Sequence, residues 1–204
     1  MSYILYAWLA SLLYAVNAIL AKLTSKHTIK NPLLLTFIWN LFVLIFSLFL
    51  LPALPAKEVS QLTWPTAWPS LLAAAGLWAL TGVTFVVLLF ALDVSAFAPL
   101  YNLRTVFGVL LGVYFLGEKL TATQGLSVAV IFVFGVLANL DERFRLRALL
   151  KPVLLLALVH MFLLALYAAA VKVAIADNGY WNVFYWTAFL SQFLLLLTIP
   201  LFRR

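Results

Sequence analysis

SAFAPLYNLRTVFGVLLGVYFL, residues 95–116, is an apolar run broken by a single formal charge, Arg104. A bilayer core about 30 Å thick needs about 20 predominantly apolar residues to cross it as a helix. In hydrocarbon every backbone N–H and C=O must be paired within the segment, so the run reads as a helix and not as a strand. Six further runs of the same kind surround it. The seven candidate spans lie near 3–22, 33–54, 69–92, 95–116, 122–140, 152–176 and 181–202.

The whole composition agrees. Of 204 residues, 67% are apolar and 9% charged, where soluble domains carry about 25% charged residues. A soluble fold of this size could not hide so much apolar surface, so the lipid bilayer is the solvent for most of the chain. The expected fold class is an all-α polytopic membrane protein with seven transmembrane helices. The net charge of +7 does not point to nucleic acid, because most basic residues sit between the apolar runs. With no cysteine and two histidines, His27 and His160, thiolate sites are excluded and a multi-histidine metal centre is not expected. No cofactor is expected. Val16-Asn17-Ala18 resembles a signal cleavage site, but no basic segment precedes the first run and the run continues beyond Ala18.

Turn signals separate the runs. They are Asn31-Pro32, the Pro52 to Pro69 stretch, Asp93-Val94-Ser95, Gly117-Glu118-Lys119, the charged linker 141–151 and Asp177-Asn178-Gly179. Loops on one side carry Lys22, Lys26, Lys30, Arg143, Arg145, Arg147, Lys151, Arg203 and Arg204; loops on the other carry Lys57, Lys119 and Lys172. Positive residues favour the cytoplasm, so the linker is expected there and the N-terminus outside the cytoplasm. The expected location is the cell (inner) membrane.

The sixth run echoes the first. Asn17-Ala-Ile-Leu-Ala-Lys22-Leu aligns with Tyr167-Ala-Ala-Ala-Val-Lys172-Val, and Trp39-Asn40 falls opposite Trp186-Thr187. The copies are offset by five spans, an odd number, so the second copy must run inverted relative to the first, as in many transporters. The expected organisation is a five-helix repeat over 1–140, a cytoplasmic basic linker over 141–151, and the first two helices of an inverted, incomplete second repeat over 152–204.

Phe90-Ala91-Leu92, Ser95-Ala96, Leu116-Gly117-Glu118-Lys119-Leu120-Thr121, Gln124-Gly125 and Gly135-Val136 form a pattern that resembles the EamA-type domain of the drug/metabolite transporter superfamily. The resemblance covers residues 1–140 and implies two inverted five-span domains in a permease or exporter of small metabolites. Where the family often has a proline, this chain has Thr105 beside Arg104.

Arg104 is the sharpest functional signal. An arginine at mid-span costs about 2.5–3.5 kcal/mol on insertion scales and is expected to face a protein interior or a watery cavity. A guanidinium there can hold a carboxylate through two parallel hydrogen bonds. Tyr101 and Asn102 lie just before it. Asn17 with Tyr14, Asn40 beside Trp39, and Thr81 and Thr84 after Trp78 give polar stripes to the first three spans. Arg104, Tyr101, Asn102, Asn17 and Asn40 are the expected substrate-binding residues. His160 is read as a packing residue, Lys22 and Lys172 as side chains reaching to the interface, and Glu118 as structural. No acid lies at mid-span, which disfavours proton-for-cation exchange.

The function expected is alternating-access secondary transport of a small, anionic or carboxylate-bearing solute, without enzymatic activity. The alternative is a seven-helix receptor-like or accessory subunit. Gly108-Val-Leu-Leu-Gly112 is a small-residue seam through which the fourth span would pair, in a homo-oligomer or with another helix.

Overall fold

The computed structural model describes residues 2–92, 100–117, 119–137 and 151–200. Asp93, Ser95, Ala96, Pro99, Glu118, the linker from Asp141 to Leu150, Arg203 and Arg204 lie outside the described residues. Among those described there is no strand. The helices are α1 (Ser2–His27), α2 (Pro32–Leu50), the short α3 (Ala56–Val59), α4 (Trp68–Ala91), α5 (Leu103–Leu116), α6 (Ala122–Leu137), α7 (Pro152–Asn178) and α8 (Tyr180–Leu196).

Four helical stretches, Ile4–His27, Pro32–Ala53, Trp68–Ala91 and Pro152–Asn178, are long and apolar enough to cross a membrane. At about 1.5 Å per residue, the 24 residues of α4 extend about 36 Å. α5, α6 and α8 are shorter, with 14, 16 and 17 residues. Large apolar side chains stand outward, among them Leu5, Trp8 and Leu12 on α1 and Phe46 and Phe49 on α2. A polytopic membrane protein accounts for such a surface, since lipid and not water meets it.

The helix ends follow local chemistry. Asn31 caps α2, its Oδ1 accepting from Leu33 N–H at 2.9 Å and Leu34 N–H at 3.1 Å, with Pro32 at the first helical position. Gly117 adopts φ 66° and ends α5, donating its N–H to Gly112 O. Thr121 and Gln124 form a reciprocal capping pair before α6. Thr121 N–H donates to Gln124 Oε1 at 2.9 Å, and Gln124 N–H donates to Thr121 Oγ1 at 3.3 Å.

α4 is the hub. It packs on α7 most extensively, and on α8, α2 and α1; α5 packs on α7 and α6, and α2 on α8. Leu88, Leu100, Leu103, Ala157 and Met161 form one core where α4, α5 and α7 meet. Leu71, Ala74, Ala174 and Val183 form another between α4, α7 and α8. Lipid is as apolar as leucine, so close packing rather than water exclusion holds such helices together. Glycines set two of the approaches. A Cβ on Gly82 would lie 3.4 Å from Thr36 Cγ2 of α2, and one on Gly135 would lie 2.9 Å from Leu103 Cδ2 of α5. At Gly108 an added Cβ meets nothing within 4 Å, so that part of the expected seam has no neighbour among the described residues.

The bundle is tied differently at its two ends. At one end the segment between α3 and α4 is stapled to the α7–α8 turn. Asn178 Oδ1 accepts from Thr66 and Ala67 N–H at 3.1 and 3.0 Å, and its Nδ2 donates to Ala67 O at 3.1 Å. Asn182 Oδ1 accepts from Thr63 N–H at 3.0 Å, and Trp181 Nε1 donates to Glu58. Trp64, Trp68 and Trp186 meet edge to face with centroids 5.3–5.4 Å apart. At the other end Lys22 is not a residue that merely reaches to the interface. Its Nζ donates to Leu89 O at 2.6 Å and Leu92 O at 2.8 Å, where the last carbonyls of α4 lack intrahelical partners and carry the negative end of the helix dipole.

Candidate functional site

Between α1, α2, α4, α5 and α7 lies a cavity of about 350 Å³. Each wall follows from helical spacing. Tyr14 and Asn17 are three apart on α1; Thr36, Trp39, Asn40 and Val43 recur at three or four on α2, which brings them to one face. Trp78, Thr81, Gly82, Phe85 and Val86 do the same on α4, and His160, Leu164 and Tyr167 on α7. Tyr101 and Arg104 close the fifth side at the start of α5.

The polar groups in these walls are partly committed. Asn40 is buried; its Nδ2 donates to Thr36 O at 3.0 Å and its Oδ1 accepts from Trp78 Nε1 at 2.8 Å. Trp78 in turn lies against Tyr167, with centroids 5.1 Å apart. Trp39 meets Phe85 edge to face at 5.9 Å. The Tyr14 and Tyr101 hydroxyls are hydrogen-bonded to each other across the α1–α5 gap. Buried His160 shares a 2.8 Å contact between its Nδ1 and Thr84 Oγ1.

Arg104 stands among these groups, and its positive charge bears on the Tyr14, Tyr101 and Tyr167 hydroxyls and on His160. Among the described residues no carboxylate lines the cavity, and Arg104 is its one formally charged wall residue. Such a wall can neutralise one negative charge through planar N–H donors while its aromatic faces take apolar surface.

Four of the five residues expected from sequence, Asn17, Asn40, Tyr101 and Arg104, line this one cavity. Asn102 does not. It is exposed and caps α5 without a side-chain hydrogen bond, because one position's turn about the axis carries it off the face that Tyr101 and Arg104 share. Sequence reasoning missed Tyr167, Thr36 and His160 as wall residues. Tyr167 had a signal: it stands opposite Asn17 in the internal match. His160 and Thr36 had none beyond being polar within an apolar run.

Searches of curated proteins and of solved structures each found no match. The pattern of the EamA-like transporter family matches residues 1–140, the stretch that supplies α1, α2, α4 and α5 around the cavity. With more than half of its length matched in this way, the chain belongs to the EamA-like transporter family.

Proposed function

We propose that this chain moves a small anionic, carboxylate-bearing solute by alternating access, with Arg104 as the anion's partner. One observation carries the reading: among the described wall residues of the cavity, Arg104 is the only formally charged side chain. Every other Lys and Arg falls in a loop or near a span end. A guanidinium set in a mostly apolar wall draws an anion more strongly than one surrounded by water. Asn17 and Tyr101 serve as neutral donors beside it.

The proposed architecture is seven spans. Residues 1–140 are one five-helix repeat, 141–151 a cytoplasmic linker, and 152–204 the first two helices of an inverted repeat. The internal match at an offset of about 150 residues pairs Tyr14 with Leu164 and Asn17 with Tyr167, and both pairs line the same cavity. That is what two related helices facing one axis would give. The loops support alternating spans. The 54–67 segment meets the 177–180 turn at one end, and the ends of α1 and α4 meet at the other. The basic loops assign the latter end to the cytoplasm and the N-terminus to the far side of the cell (inner) membrane.

Comparing solutes retained and released by cells producing wild type or Arg104→Gln tests the proposal. Anionic solutes should change with wild type, and that change should fall roughly 10–100-fold with the variant, the value of a hydrogen bond to a charged group. Transport of neutral or cationic solutes that is indifferent to Arg104→Gln would overturn it.

A further inference from the structure

We infer that the cavity selects a planar aromatic monoanion, its ring held against Trp78 and Tyr167 and its carboxylate at Arg104, with Asn40 positioning the Trp78 indole. The inference rests on the anion reading above and adds the shape and charge count of the solute.

The charge count comes first. One guanidinium faces the cavity and no second formal cation lines it. A dianion, such as a phosphate ester, would carry one charge that no formal cation among the described wall residues matches. A monoanion is matched.

The ring follows from the walls. Trp78 and Tyr167 lie 5.1 Å apart at an interplanar angle of 42°. Trp39 and Phe85 are locked edge to face at 81°. These rings are set before any solute arrives. Trp78 is pinned through its Nε1 to Asn40 Oδ1 at 2.8 Å, and Asn40 is itself anchored to Thr36 O at 3.0 Å. Asn40 commits one N–H to Thr36 O and one lone pair to the Trp78 indole, an anchor that fixes the ring, so its effect on a bound ring is exerted through Trp78. A solute ring gains offset or edge contacts with such fixed π faces beyond its buried area, whereas a saturated ring of equal size gains area alone. A volume of about 350 Å³ is near the small end of ligand pockets, about 300–1,000 Å³, and suits one or two fused rings.

Phenylacetate and cyclohexylacetate carry the same charge and nearly the same bulk, and differ in the ring. Their binding to the full chain in nanodiscs, measured by titration calorimetry, separates the two layers of the reading. Wild type should prefer phenylacetate roughly tenfold, the size of a favourable aromatic pairing. Trp78→Leu and Tyr167→Leu should each reduce that preference to within about twofold while cyclohexylacetate binding persists. Trp78→Phe keeps a ring without the Nε1 donor; in that background Asn40→Leu should change the preference no further, although Asn40→Leu alone lowers it. A merely structural role for Asn40 would lower binding of both probes in either background. Equal binding of the two acids, both lost in Arg104→Gln, overturns the ring and leaves the anion reading standing. Binding of both acids left unchanged by Arg104→Gln overturns the anion reading instead, and no binding of either acid to folded wild type overturns the inference.

Discussion

Lys22 Nζ lies 2.6 Å from the carbonyl oxygen of Leu89, binding the end of α1 to the C-terminus of α4. α1 packs mainly on α4 and presents most of its apolar surface outward, so this contact and the Tyr14–Tyr101 bond are its principal polar ties. On the proposed alternating-access reading, a helix held so lightly along one cavity wall is the one suited to move. Lys22→Met removes a charged donor from two carbonyls, at about 1.5–3 kcal/mol. Melting in detergent should shift down by about 2–4 °C per kcal/mol lost. Lys22→Arg should recover most of it. Unchanged melting of Lys22→Met would mean that the ammonium adds nothing to α1 docking.

The opposite end is held more firmly. Asn178 satisfies two backbone N–H groups and one carbonyl of the 66–67 segment. Asn178→Ala leaves the exposed Thr66 N–H to water and orphans the part-buried Ala67 N–H and carbonyl, at about 1–3 kcal/mol. Lys57, exposed in the stapled segment, then becomes a reporter. Trypsin should cut after Lys57 roughly 5–150-fold faster in the variant, if cleavage follows local opening. Equal rates would show that the Asn182 and Trp181 bonds and the tryptophan cluster hold the segment without Asn178.

Gly135→Ala forces a methyl to within 2.9 Å of Leu103 Cδ2. Overpacking of this kind costs about 1–3 kcal/mol, and Leu103→Ala in the same chain should relieve part of it. Gly108→Ala meets nothing within 4 Å and should be neutral or slightly stabilising in the isolated chain, since alanine favours helix. A loss for Gly108→Ala, with a change of mass in native measurements, would instead identify the α5 seam as a pairing surface between copies.

Gln124→Ala deletes one half of the capping pair with Thr121. The expected cost is about 0.5–2 kcal/mol, read as faster amide exchange in the first turn of α6, with the cavity untouched. Altered solute selectivity in this variant would contradict a purely structural role for the Leu120-Thr121…Gln124 block.

The helices were legible because lipid demands one simple pattern, an apolar run bounded by turn residues. Asn31-Pro32 and Gly117 end elements where expected, each for a nameable reason. Arg104 stood out because a charge in such a run has no bland environment available. The staple was only half legible: the Pro52 to Pro69 stretch and Asp177-Asn178-Gly179 each signalled a boundary, but no local rule says that loop 54–67 meets residues 177–182. Lys22 was misread for a related reason. Reaching water and capping a distant helix satisfy an ammonium equally well, and only tertiary structure decides. Tyr167 and His160 joined the cavity through the pairing of α4 with α7, a long-range contact that carries no periodic signature in either helix.

The central claim is that Arg104 projects into a water-accessible cavity shared with Tyr167 rather than into lipid. The chain contains no cysteine, so single Arg104→Cys, Tyr167→Cys and Leu5→Cys variants can be compared directly in membranes with a small charged thiol reagent. The account predicts that the Arg104→Cys and Tyr167→Cys thiols react, since a thiolate forms only where water reaches, and that Leu5→Cys, on the outward face of α1, reacts far more slowly. Protection of the Arg104→Cys thiol equal to that of Leu5→Cys would contradict the account.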